Sequence, residues 1–218
     1  MKHSILRLSI LALLLAINTV VYAYDFEYDK LRYNITSAED KTVEVCGNRL
    51  DQEGGVIPEY VEHNGVTYSV TKIGNKAFYR CQTIKKITIP NSIKHIGGGA
   101  FASSNLEQIT IPNSVEELET GVFFDCKNLS SVSLPNGITK ISHGLFQSSG
   151  LKKVSLPNSI TEIEADAFRG CKKLESIDFP NKLNIIRKYA FSHCVSLKSL
   201  DIPDSVTSIE GSAFEYCI

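Results

Sequence analysis

One skeleton recurs down most of this chain, and its period limits the folds open to it. From Leu151 to Phe168 it reads apolar-x-x-apolar-x-apolar-Pro, then apolar-x-x-apolar, then a small residue and Phe. The Pro sits at Pro90, Pro112, Pro135, Pro157, Pro180 and Pro203, in steps of 22 or 23 residues. The Phe sits at Phe78, Phe101, Phe123, Phe146, Phe168, Phe191 and Phe214, in the same steps of 22 or 23. Two landmarks that keep one period rule out an accident of composition. Each unit is too short to bury its own apolar face. The chain must therefore stack coil on coil, with neighbours sharing one continuous core.

Within a coil, Leu106-x-x-Ile109-x-Ile111-Pro112 reads as a short strand. Ile109 and Ile111 point one way, Gln108 and Thr110 the other, by the two-residue strand period. The Pro ends the strand because it has no N–H for the next ladder bond. Asn91, Asn113, Asn136, Asn158, Asn181 and Asp204 follow it as turn residues. A second apolar pair such as Ile160 and Ile163, with Gly and Thr nearby, favours extended or tight-turn backbone over α-helix. The expected fold is mostly β: a right-handed leucine-rich-repeat solenoid of 22–23-residue coils, about seven of them, with an N-terminal β-cap.

Residues 1–23 stand apart. Lys2 and Arg7 precede an apolar run from Leu8 to Ile17, and Val21-Tyr22-Ala23 offers a small-x-small cleavage site, the layout of a secretory signal peptide cleaved after Ala23. The run is short of the about 20 residues a membrane span needs. No second apolar run follows, so no membrane span is expected in the mature chain. Residues 24–55 alternate apolar and polar around Phe26, Leu31 to Ile35 and Thr42 to Val45, as half-buried strands do. They read as the cap that covers the first coil. The solenoid is placed at residues 56–218. A hairpin insertion falls near 59–69, where Asn64-Gly65 is a strong two-residue turn signal. The last repeat is incomplete at Cys217-Ile218, and a frayed final coil is the expectation there.

Three residues after each Phe stand Cys81, Ser104, Cys126, Ser149, Cys171, Cys194 and Cys217. The Ser copies lie in the 22-residue intervals between prolines and the Cys copies of that stretch in the 23-residue ones. An even Cys count in an exported chain invites disulfides. Coils about 4.8 Å apart would allow a bridge between adjacent copies. Interchange with Ser instead favours a small buried group in a reduced ladder. Cys46 has no evident partner.

Ile-Pro-Asn-Ser-Val or Ile at Ile111 to Val115 and Leu156 to Ile160, with Ala-Phe-x-x-Cys at Ala77 to Cys81, Ala167 to Cys171, Ala190 to Cys194 and Ala213 to Cys217, resembles the BspA-like leucine-rich repeats. The resemblance covers about Val56 to Ile218. Val122-Phe123 and Leu145-Phe146 depart from it with larger groups in the Ala slot. That family is common among secreted and surface proteins of anaerobic bacteria and occurs in some parasitic protists. It implies adhesion, host contact or coaggregation, and has no universal binding residues to carry over.

Little in the chain points to chemistry. The five His fall in different places: His3 in the leader, His63 in the hairpin, His95, His143 and His193 in unlike slots. Gly97-Gly98-Gly99 lacks the Lys-Ser/Thr of a phosphate loop and reads as a tight turn. No nucleophile elbow or zinc-protease motif occurs. Asn34-Ile35-Thr36 and Asn128-Leu129-Ser130 are sequons that matter only in a eukaryote. Net charge of −1 and the absence of Trp argue against nucleic acid. No catalytic, cofactor or metal site is expected. The remaining candidate is the outward strand face. One column holds Thr88, Thr110, Ser133, Ser155, Asp178 and Asp201. The next holds Lys86, Gln108, Ser131, Lys153, Ser176 and Ser199. Together they form a small-residue polar surface that turns acidic toward the C-terminus. The expected function is a non-catalytic, secreted or cell-surface binding protein that contacts a host protein or another cell. The alternative is a glycan-binding accessory protein in nutrient capture.

Overall fold

The computed structural model describes residues 23–217, so the leader read from the sequence lies, Ala23 apart, outside the described residues. No helix occurs among them, and short strands and turns wind about seven coils spaced about 23 residues apart. In chain order the strands are β1 (Phe26–Tyr28), β2 (Leu31–Ser37), β3 (Thr42–Asn48), β4 (Gly54–Val56), β5 (Tyr60–His63), β6 (Val66–Ile73), β7 (Lys86–Thr88), β8 (His95–Ile96) and β9 (Gln108–Thr110). They continue as β10 (Glu117–Leu118), β11 (Ser131–Ser133), β12 (Lys140–Ile141), β13 (Lys153–Ser155), β14 (Glu162–Ile163), β15 (Ser176–Asp178), β16 (Ile185–Ile186) and β17 (Ser208–Ile209).

The N-terminal strands β1, β2 and β3 form an antiparallel sheet, and β3 then pairs in parallel with β6. That pairing extends the solenoid's ladder into the N-terminal sheet and covers the edge of β6, while β4 pairs on one side only. Strands β5 and β6 are a hairpin. Its turn residues Asn64 and Gly65 have φ of 51° and 74°, the left-handed pair that a two-residue turn requires. Phe26 stacks between Tyr33, 5.2 Å away, and His63, 4.2 Å away, which ties the hairpin to the N-terminal sheet.

Each coil satisfies its backbone groups through three ladders. The first joins β4 to β7, β9 to β11 and β13 to β15. Its ladder pairs break at both 22-residue steps, from β7 to β9 and from β11 to β13, and hold at the 23-residue steps from β9 to β11 and from β13 to β15. The one-residue deletion behind the Phe is thus felt on the strand face. The second ladder runs β6–β8–β10 and β12–β14–β16–β17. At its single break, the Ser142 hydroxyl donates to the Leu118 carbonyl and bridges the two coils. The third ladder has no strands and no break. The Phe101 N–H donates to the Val122 carbonyl at 3.0 Å, Phe123 to Leu145 at 2.9 Å, Phe146 to Ala167 at 2.8 Å and Phe168 to Ala190 at 2.8 Å. To bring these groups into line, each coil turns left-handed two residues before and two after its Phe. Asp166 and Gly170 around Phe168 have φ of 59° and 70°.

The core is a column. Six of the seven repeat Phe residues are fully buried, and neighbouring rings stack with centroids 5.1–5.7 Å apart. Ile87, Ile109, Val154 and Ile177 from the first ladder and Ile73, Ile96, Leu118, Ile141, Ile163 and Ile186 from the second close around it. Val122 and Leu145, the departures from Ala, are buried without exposure.

All six cysteines are free. Size alone does not account for their slot. The Cys126, Cys171 and Cys194 thiols donate to the carbonyls of Phe101, Phe146 and Phe168 in the preceding coil at 3.0, 3.0 and 3.1 Å. Ser104 and Ser149 reach the sulfurs of Cys126 and Cys171 at 3.6 and 3.4 Å. Thiol and hydroxyl interchange there because each is a small side chain that can hydrogen-bond across coils. Burial pushes the Cys126 thiol up from an ordinary value near 9 to about 11. The folded state therefore holds a proton that the unfolded state releases. Its contribution to stability is complete below about pH 9 and lost as pH rises through 11. Urea melts of the native chain and of Cys126→Ser should diverge across that window, the native chain falling more steeply. Parallel curves would refute the assignment.

Candidate functional site

The strand face is built by the first ladder. Alternation turns Ile87, Ile109 and Val132 inward and leaves Lys86, Thr88, Gln108, Thr110, Ser131 and Ser133 exposed. These six line a shallow open groove of about 800 Å³ over β7, β9 and β11. Register aligns Gln108 with Ser131 and Thr110 with Ser133. Lys86 is the one charged residue lining it, and the rest of its polar groups are short hydroxyls and amides.

Six residues of the sequence-derived columns do not enter the groove. Lys153, Ser155, Ser176 and Asp178 continue the same face on β13 and β15, with Lys153 opposite Ser176 and Ser155 opposite Asp178. Ser199 and Asp201 are exposed but lie in no strand, so the paired face stops at β15. The column is therefore shorter at its acidic end than periodicity implies. A one-dimensional period assigns a slot but does not guarantee a hydrogen-bonded neighbour.

Sequence reading missed one part of the groove. Asn91, Asn113 and Asn136 line its edge, although they read as turn residues alone. Asn113 Oδ1 accepts the Asn136 N–H of the next coil at 2.9 Å, which ties two of these turns together. The recurring Asn after each Pro was the available signal. What it lacked was the direction in which the turn folds.

Among the described residues no three His, Cys, Asp or Glu gather as a metal site would need. His95 Nδ1 stands 3.8 Å from Glu117, and His193 bonds Ser192 Oγ at 2.8 Å and lies tilted against the Tyr216 ring at 4.6 Å. The charged side chains pair along the second ladder instead. Arg187 donates to Glu162 at 2.6 Å and to Glu210 at 2.7 Å, spanning three coils. The Arg187 guanidinium and the Lys188 N–H hold the Glu210 carboxyl below the usual range. Burial opposes ionisation of Glu164, but hydrogen bonds from Lys140 at 2.7 Å and the His143 N–H at 2.8 Å outweigh it and lower its pKa. These pairs lock neighbouring coils together. No helix among the described residues is long and apolar enough to cross a membrane.

Comparison with known proteins places the repeats. The model of the BspA type leucine rich repeat region matches residues 61–172 and 139–218. A leucine rich repeat protein of T. pallidum has a similar structure, with a TM-score of 0.74 and 26% identity over 84% of this chain and 85% of that one. One from Eubacterium ventriosum aligns with a TM-score of 0.73 and 26% identity over 86% of this chain but 48% of its own. One from Bacteroides ovatus shares 30% identity over 88% of this chain and 62% of its own, with a TM-score of 0.57. No curated protein matches the chain.

Proposed function

The chain belongs to the BspA type leucine-rich repeat family, and from that premise we propose that it is a secreted or cell-surface binding protein. Its partner is a protein of a host or of another cell, and its role is contact without catalysis. The observation that carries the reading is the groove over β7, β9 and β11. Its floor is polar and mostly short-chained, β9 and β11 are held in register by the ladder, and Lys86 is its only charge. Short hydroxyls leave room for a broad partner to approach and hydrogen-bond, while the fixed backbone spares the ordering cost that a loop would incur. The leader read at residues 1–23 supports export. The groove lacks an aromatic platform, so a sugar ring would have nothing to stack on there.

The test is a pair of arrays, one of matrix and surface proteins and one of glycans, probed with this chain and with Thr110→Lys combined with Ser133→Lys. Capture by proteins that falls about tenfold or more in the variant supports the reading. Capture by glycans alone, or protein capture untouched by the two lysines, overturns it.

A further inference from the structure

Two cavities meet at Tyr79 and share no residue with the strand-face groove. The first, about 220 Å³, lies at the junction of the N-terminal sheet and the first coil, against Tyr24, Arg32, Asn48, Asn75 and Lys76. The second, about 350 Å³, runs from Tyr79 across Ala102 to Phe124. Lys76 and Tyr79 belong to both, and no Asp or Glu lines either.

The repeat explains the second cavity. The residue after each Phe falls in one column, which here reads Tyr79, Ala102, Phe124. Two rings, 41% and 40% exposed, thus flank a methyl group. They stand two coils apart, where the coil steps measured on the Phe column are 5.1 and 5.7 Å. The gap admits a ring or a branched aliphatic side chain between the two walls. Beside it, the left-handed slot two residues before each Phe holds Gly99, Gly121 and Gly144, with φ of 60°, 63° and 58°. Later coils put Asp166, Tyr189 and Ser212 in that slot, so only these three coils leave it bare.

The first cavity supplies the charge. The Arg32 guanidinium lies 4.8 Å over the Tyr24 ring and forms a 3.5 Å ion pair with Glu27, its buried Nε making no hydrogen bond. The Lys76 ammonium and Arg80 guanidinium lie 5.8 and 5.1 Å from the Tyr79 ring centre. Cations held against aromatic faces at the mouth of an apolar slot, without a carboxylate in its lining, complement a partner that brings the acid itself.

We infer that the joined cavities are a docking surface for a polypeptide segment that presents a carboxylate beside an aromatic or large aliphatic side chain. Arg32 and Lys76 meet the carboxylate, and Tyr79 and Phe124 clasp the side chain. This surface does not depend on the strand-face reading and can stand if that reading falls. The probe is acetyl-Asp-Phe-amide titrated into the ¹⁵N-labelled protein, with acetyl-Asn-Phe-amide and acetyl-Asp-Ala-amide as controls. The expected shifts cluster at the amides of Lys76, Tyr79, Gly99, Gly121 and Phe124, and both controls bind about fivefold or more weakly. Lys76→Gln and Phe124→Ser should each weaken the probe about fivefold, while Thr110→Lys leaves it unchanged. Lys76→Gln is a surface change and carries the test even where Phe124→Ser lowers stability. Equal binding of all three peptides, shifts centred elsewhere, or stronger shifts of the same amides by glucuronate than by the probe would overturn the inference.

Discussion

Phe146→Ala is expected to destabilise the protein by about 3–5 kcal/mol, the usual cost of truncating a buried aromatic ring. Phe146 is fully buried, and its ring stacks on Phe123 at 5.5 Å and on Phe168 at 5.3 Å. Truncation removes both stacking contacts and leaves a cavity between two coils. The coils cannot close over it, because the third ladder fixes their spacing through the Phe146 N–H to Ala167 and the Phe123 N–H to Leu145. Phe146→Leu keeps most of the volume and should lose only about 1.5 kcal/mol. Urea melts give both values. Because each coil touches only its neighbours, hydrogen exchange should also quicken first around Phe123 and Phe168. A loss below about 1 kcal/mol for the Ala variant would mean that the column is not the main support of the stack.

Gly150→Ala should be nearly as damaging, at about 3 kcal/mol, for a different reason. A Cβ on Gly150 would collide with the Lys127 carbonyl oxygen and lie 2.8 Å from its carbon and 3.3 Å from the Leu129 oxygen. These are backbone atoms of the coil behind, and they cannot swing aside as a side-chain tip can. The Gly150 N–H also donates to the Cys126 carbonyl at 3.0 Å, so relief by displacement would strain a bond between coils. Gly137→Ala is the matched control, since its Cβ would meet nothing within 4 Å. That change should be neutral or stabilise by about 0.4–1 kcal/mol through the unfolded chain. Equal melting of the two variants would remove close packing as the reason for the Gly at position 150.

The two substitutions differ in how far their effects could be foreseen. Phe146 announces itself through a period that it shares with six other Phe. Gly150 does not, because Asn105 fills the corresponding place in the earlier 22-residue coil. The candidate site divides in the same way. Lys86, Thr88, Gln108 and Thr110 are legible as an outward face because strands alternate in and out. That Ser199 and Asp201 lie in no paired strand, and that Asn91, Asn113 and Asn136 line the groove, are not. Nor does the sequence show that Tyr79 and Phe124 flank a gap: they carry no pattern of their own, and the gap comes from Ala102 and three side-chain-free turns beside it.

The sequence by itself determined the stack: its period, its Phe, Ile and Leu core, its proline-ended strands and its nearly helix-free backbone. Those follow from local rules, since alternation, proline and turn residues act over a few neighbours and the period repeats their result. The tertiary structure alone decided what happens between coils. It set which ladder steps pair, which carbonyl each buried thiol reaches, where a methyl group would collide and where two exposed rings leave a slot. Such outcomes depend on atoms some 23 residues apart being brought within van der Waals reach. A period names the residues that share a column, but the width and facing of that column are fixed only when the coils close upon one another.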